Sequence, residues 1–128
     1  MVTYLADTNI FIRLFIQDNQ SQAKFVEKVF QEARSGKLKI AVLSEVLPEI
    51  EYVLRKVYKV ERKIIFSHLS GLINTPYINI EKRNIWKKAI KIYLKNNIDI
   101  VDAVLFVESQ ERKNKILSFD KDFKKIKK

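Results

Sequence analysis

The sequence predicts an α/β fold with a central parallel sheet of about four or five short strands, flanked by helices on both faces. Short apolar runs of strand character recur along the chain, and between them apolar residues return at helical spacing. Only two glycines and two prolines occur, too few for a turn-rich all-β protein. There is no cysteine, so disulfides and thiolate metal sites are excluded. With 47% apolar and 31% charged residues the chain reads as folded rather than disordered, and 128 residues fit one domain, 1–128.

The elements follow in order. Val2 to Ala6 is an apolar run ending at Asp7 and reads as a buried strand. Asn9 to Ile16 reads as a helix with Ile10 and Leu14 inward. Ser21 is placed to cap the next helix, whose stripe is Phe25, Val26, Val29, Phe30 and Ala33, with Gly36 just past its end. Lys39 to Leu43 is a second strand. Ser44 is placed to cap a helix reaching Tyr58, with Ile50, Val53, Leu54 and Val57 buried; Pro48 fits there only if the first turn is irregular. A helix from about Glu61 to Ile73 ends before Pro76, and Tyr77 to Ile80 is a third strand. Lys82 to Lys95 carries Ile85, Trp86, Ala89, Ile90 and Tyr93 on one stripe. Asp99 opens a last long helix to about Arg112, and Ile116 to Ser118 is a closing strand before a Lys-rich tail.

The formal net charge of +10 favours a polyanionic partner, although lysines that merely solvate a surface give the same count. The first residues lack the basic start and apolar run of a signal peptide, and no segment has the apolar length of a membrane span. A cytoplasmic protein with no membrane partner is the expectation.

Parallel α/β sheets build their sites at strand ends, and four acids fall at such places or near a helix start: Asp7, Glu49, Asp102 and Asp120. Converging carboxylates repel one another unless a cation lies between them, and hard oxygen donors suit Mg²⁺ or Mn²⁺. Each acid also has a plainer reading. Asp7 and Asp99 fit helix caps, Asp120 and Asp122 fit turns, and Glu49 fits a helix surface, as Glu45 and Glu51 do. The one histidine, His68, lies in an apolar stretch, so Ser-His-Asp hydrolysis fits poorly.

Taken together, four segments resemble the PIN-domain ribonuclease family. Met1-Val2-Thr3-Tyr4-Leu5-Ala6-Asp7-Thr8-Asn9 is similar to its opening strand and Asp-Thr-Asn signature. Pro48-Glu49-Ile50-Glu51-Tyr52-Val53-Leu54 is similar to the helix whose Glu falls five residues before a Leu. Asp99-Ile100-Val101-Asp102-Ala103 resembles the third-acid motif, and Leu117-Ser118-Phe119-Asp120-Lys121-Asp122-Phe123 the closing strand. The likeness covers essentially the whole chain and is greatest to VapC-type toxins of toxin–antitoxin systems. It implies a pocket in which Asp7, Glu49, Asp102 and Asp120 hold one or two Mg²⁺ or Mn²⁺ ions, with Thr8, Asn9, Ser118 and Asp99 in support. It implies an endoribonuclease in which metal-activated water attacks the phosphodiester, leaving a 5′-phosphate and a 3′-hydroxyl. It also implies a homodimer and a cognate antitoxin that covers the pocket. Arg13, Lys87, Lys88, Lys91 and the tail from Lys121 to Lys128 are candidate RNA-backbone contacts. The rival is a non-catalytic PIN-like nucleic-acid-binding or scaffold module. A phosphate-receiver domain fits less well, because only Glu81 follows the third strand. A dinucleotide-binding fold lacks its Gly-rich turn here.

Overall fold

Three short runs of the chain pair as strands: β1 (Thr3–Leu5), β2 (Lys39–Val42) and β3 (Ile78–Ile80). In the computed structural model, which describes residues 1–127, they form a parallel sheet in the order β1-β2-β3. Tyr4 faces Ile40, and Ile40 faces Ile78 across the ladder. Parallel neighbours need long crossovers. Here α1 (Thr8–Ile16) and α2 (Gln20–Arg34) join β1 to β2, while α3 (Val46–Lys56) and α4 (Arg62–Ile73) join β2 to β3. Two more helices, α5 (Arg83–Asn96) and α6 (Ile100–Arg112), and a short 3₁₀ turn (Lys121–Lys125) follow. No helix among the described residues is long and apolar enough to cross a membrane.

One continuous core joins β2, β3 and all six helices. Leu47, Ile50 and Leu54 of α3 meet Ile65, Leu69 and Ile73 of α4, and Trp86, Ala89, Ile90 and Tyr93 of α5 close it. Phe11 and Ile12 of α1 are buried with them, Phe11 edge-on to Phe30 of α2. Polar contacts then tie the strand ends together. Glu81, after β3, accepts the Ser44 N–H at 2.9 Å, and Trp86 Nε1 donates to Ser44 Oγ at 2.8 Å. The Arg83 guanidinium donates to the carbonyls of Ile73, Thr75 and Ile78, bracing the entry to β3.

Several local expectations change. The closing strand does not form among the described residues: the segment after α6 pairs with nothing, and Leu117 and Phe119 are fully exposed. The sheet therefore has three strands, and β1 is an edge with Val2, Tyr4 and Leu5 in solvent rather than a buried strand. Without a fourth strand beside it, an apolar run at that position has no second neighbour to cover it. Asn19, not Ser21, caps α2, accepting from Gln22 N–H at 3.1 Å while Ser21 Oγ donates to the same oxygen. Ser44 is taken by Trp86 and does not cap α3. Pro48 is accommodated because α3 begins at Val46, which puts the proline in the first turn, where an N–H has no helical acceptor. Phe25 and Val57, read as inward-facing, are exposed.

Candidate active site

Asp7 stands directly after β1 and caps α1, its carboxylate accepting from Ile10 N–H at 3.3 Å. Thr8 is buried beside it, whereas Asn9 is exposed. Glu49 lies in the first turn of α3 with its side chain in solvent. Asp99 caps α6, accepting from Val101 N–H at 2.8 Å, and Asp102 sits partly buried in the first turn of that helix. Asp120 opens the 3₁₀ turn by accepting from Asp122 N–H at 2.8 Å, and its own N–H donates to Ser118 Oγ at 2.9 Å. The plain capping and turn readings of Asp7, Asp99 and Asp120 thus all hold locally, which leaves their carboxylates a further oxygen each for other use.

The structure gathers one group of these acids. Burial raises the Asp102 carboxyl above its ordinary range, and the neighbouring charges of Asp99, Asp120 and Asp122 raise it further. A recess lined by Ile98, Asp102, Asp122, Phe123 and Ile126 lies at that point. The tail is pinned beside it, because Asn96 donates to the Lys127 carbonyl and accepts the Lys127 N–H, both at 2.9 Å. Asp7 and Glu49 are not among the charges acting on Asp102. Carboxylate oxygens are the donor type that a hard divalent ion takes. The spacing is another matter: among the described residues no three carboxylate or imidazole groups converge closely enough to hold one ion. The donor type fits a metal, and the arrangement does not close a cage.

The cations are distributed unevenly. Lys87, Lys88 and Lys91 are exposed on α5, with Lys88 paired to Glu111 of α6. Lys88 and Lys91 line an open groove of about 440 Å³ with Ile92, Phe106, Gln110 and Glu111. Arg13 is engaged within the fold: its guanidinium donates to Asp18 at 2.9 Å and to the Tyr58 hydroxyl, which together hold its pKa above the usual value. Lys121, Lys124, Lys125 and Lys127 are exposed; Lys128 lies outside the described residues. His68 stacks on Phe15 at 4.5 Å between ring centres, and burial lowers its pKa.

Sequence reasoning missed a buried acidic group on α3. Glu51 is 2% exposed, not a surface residue. Its carboxylate accepts from Arg55 Nε and from the Tyr93 hydroxyl, each at 2.8 Å. The signal was available: Glu51 falls on the same helical stripe as Leu47, Ile50 and Leu54, and Arg55 follows it at i+4.

Comparison with known proteins agrees with this architecture. The family model described as the PIN domain matches residues 4–128. A VapC ribonuclease of Aquifex aeolicus (strain VF5) is 28% identical over 123 residues, covering 95% of this chain and 90% of that protein.

Proposed function

The chain belongs to the PIN-domain family, and from that premise we propose that it is a divalent-cation-dependent endoribonuclease, the toxin of a type II toxin–antitoxin pair. The similarity to a VapC ribonuclease supports the reaction class. The observation that carries the reading is the aspartate group at the head of α6: Asp102 and Asp122 line one recess, and Asp99 caps the helix just before it. Asp102 and Asp120 belong to that group, and Asp7 and Glu49 complete the proposed ligand set for Mg²⁺ or Mn²⁺. Such an ion supplies an activated water and neutralises charge building on the phosphodiester. Thr8, Asn9, Ser118 and Asp99 hold the ligands in orientation. Lys87, Lys88, Lys91 and the tail lysines bind phosphates on either side of the scissile bond, fixing the strand without reading its bases. Arg13, held by Asp18 and Tyr58, contributes less to that surface.

The whole chain acts as one cytoplasmic domain in this proposal. Its partners are RNA, a second copy in a homodimer, and a cognate antitoxin. The exposed apolar residues Val2, Tyr4, Leu5 and Phe25, beside a groove of about 410 Å³ that also reaches Ile10 and Val29, are surface that protein partners would cover. The second reading, a non-catalytic RNA-binding module, draws on the absence of three converging acids among the described residues.

The experiment is cleavage of total cellular RNA by the purified protein with Mg²⁺ or Mn²⁺. Discrete cuts that vanish in EDTA and fall by roughly 100-fold or more in Asp7→Asn are expected. RNA binding without cleavage under any of these conditions would replace the nuclease by the binding module.

A further inference from the structure

A carboxylate buried in the middle of an apolar helix face is costly unless it is fully paired, and an apolar residue of similar size often serves stability as well. Glu51 occupies such a place on α3, between Ile50 and Leu54. Its pairing is complete. Arg55 grips it with two donors, Nε to Oε2 at 2.8 Å and Nη2 to Oε1 at 3.3 Å, and the fully buried Tyr93 of α5 donates its hydroxyl to Oε2 at 2.8 Å.

The contacts continue past Glu51 through Tyr93. Beneath Tyr93, the Arg62 guanidinium of α4 sits 4.0 Å from the ring centre, a cation–π contact. Its Nη1 donates to the Tyr93 carbonyl and to the Ile98 carbonyl, both at 2.9 Å. Those two carbonyls lie on either side of Asn97, which takes a left-handed backbone (φ 51°) to turn the chain from α5 into α6. Asp99 and Asp102 come immediately after that turn. Two residues before Glu51 on α3 stands Glu49.

From this chain of contacts we infer that Glu51, Tyr93, Arg55 and Arg62 form a positioning network that sets α6's first turn, with Asp99 and Asp102, against the helix bearing Glu49. The network joins α3, α4, α5 and the α5–α6 turn, the elements whose relative placement decides where those carboxylates stand. None of its four members touches RNA or cation in this scheme; they act through the backbone and the carboxylates they orient. The inference rests on the nuclease reading above, because that reading gives Glu49 and Asp102 a common site.

Tyr93→Phe is the variant to make. It removes one hydroxyl from the network while leaving the Arg55–Glu51 pair and the ring under Arg62, so the fold is retained. Glu51→Gln is the companion, removing charge while keeping shape. Mn²⁺ affinity by calorimetry, kcat and KM on an RNA oligonucleotide, and amide hydrogen exchange are measured alongside thermal unfolding. The expected result is a 10- to 100-fold loss in Mn²⁺ affinity and kcat with KM for RNA unchanged, the range typical of groups that orient metal ligands. Exchange at Ile98 to Ala103 should quicken in the same variants while that of α2 does not change. A folded Tyr93→Phe with lower melting temperature but unchanged Mn²⁺ affinity, kcat and local exchange would reduce the network to a structural ion pair and overturn the inference. Should the unmodified protein neither bind Mn²⁺ nor cleave RNA, the nuclease reading fails by itself. The exchange at Ile98 to Ala103 then still decides whether these residues order the turn.

Discussion

Asp102 is the side chain at which stability and the proposed chemistry meet. Its carboxyl is raised by burial first and by Asp99, Asp120 and Asp122 next, so ionising it costs more in the folded chain than in the unfolded one. A group of this sign favours the fold below its ordinary pKa, and that advantage is lost as pH rises through the folded value. At neutral pH, with no cation, the full penalty applies. Asp102→Asn should therefore raise the melting temperature at pH 7 in EDTA, and the gain should shrink as pH falls below about 4. The same variant should lose RNA cleavage, and Mn²⁺ should stabilise the unmodified protein but not the variant. Differential scanning calorimetry at two pH values, with and without Mn²⁺, checks the three statements together. The acids were legible in the sequence as strand-end and helix-start residues because capping and turn chemistry leave clear local signatures. How close they come to one another was not legible, since that depends on how α6 and the tail pack against the rest of the fold; among the described residues no three of them come near enough to share one ion. Glu51 was read as surface because charge was weighed above periodicity; its place on the stripe of Leu47, Ile50 and Leu54 was the better guide.

At the level of elements, helical periodicity placed all six helices, and their ends moved wherever a side chain had a competing partner. Ser44 fits a cap by type, yet the indole of Trp86, 42 positions further on, takes its hydroxyl. Ser21 likewise cedes the cap of α2 to Asn19, two residues earlier. Asn19→Ala should therefore destabilise the protein by about 1 kcal/mol, the usual value of an N-cap, and Ser21→Ala by clearly less. Urea unfolding of the two variants compares them directly; equal losses would mean that the hydroxyl and the amide share the cap. Strands were harder to place. An alternating or apolar run reports strand character, but burial also requires neighbours on both sides, and this information is not local. Val2, Tyr4 and Leu5 read as buried and lie at an open edge, while Ile116 to Ser118 has the same character and pairs with nothing.

For the molecule as a whole the excess of cations is the dominant feature, and few of them are consumed internally. Arg13, Arg55, Lys82, Lys88 and Arg112 are held in ion pairs, while Lys87 and Lys91 on α5 and the tail lysines remain exposed. RNA binding should then depend steeply on salt. With a slope of roughly 0.7 per neutralised phosphate on single strands, about four contacts imply about 50-fold weaker binding when KCl rises from about 50 to 200 mM. Fluorescence anisotropy with a labelled oligonucleotide measures it, and a flat salt profile would remove the lysine surface from the proposal. The unpaired stretch after α6 has a consequence of a different kind, for survival in the cell. Leu117 and Phe119 are open to solvent on a segment outside any helix or strand, between Asn114, which donates its N–H to Ser109, and the pinned 3₁₀ turn. An accessible chain outside regular structure is what proteases engage. Brief digestion with chymotrypsin should cut there first, separating the peptide that bears Asp120 and Asp122 from a core that is otherwise intact. A single nick would then act as a timer on the acidic group. Any partner that covers those two side chains lengthens the interval for which the protein keeps it.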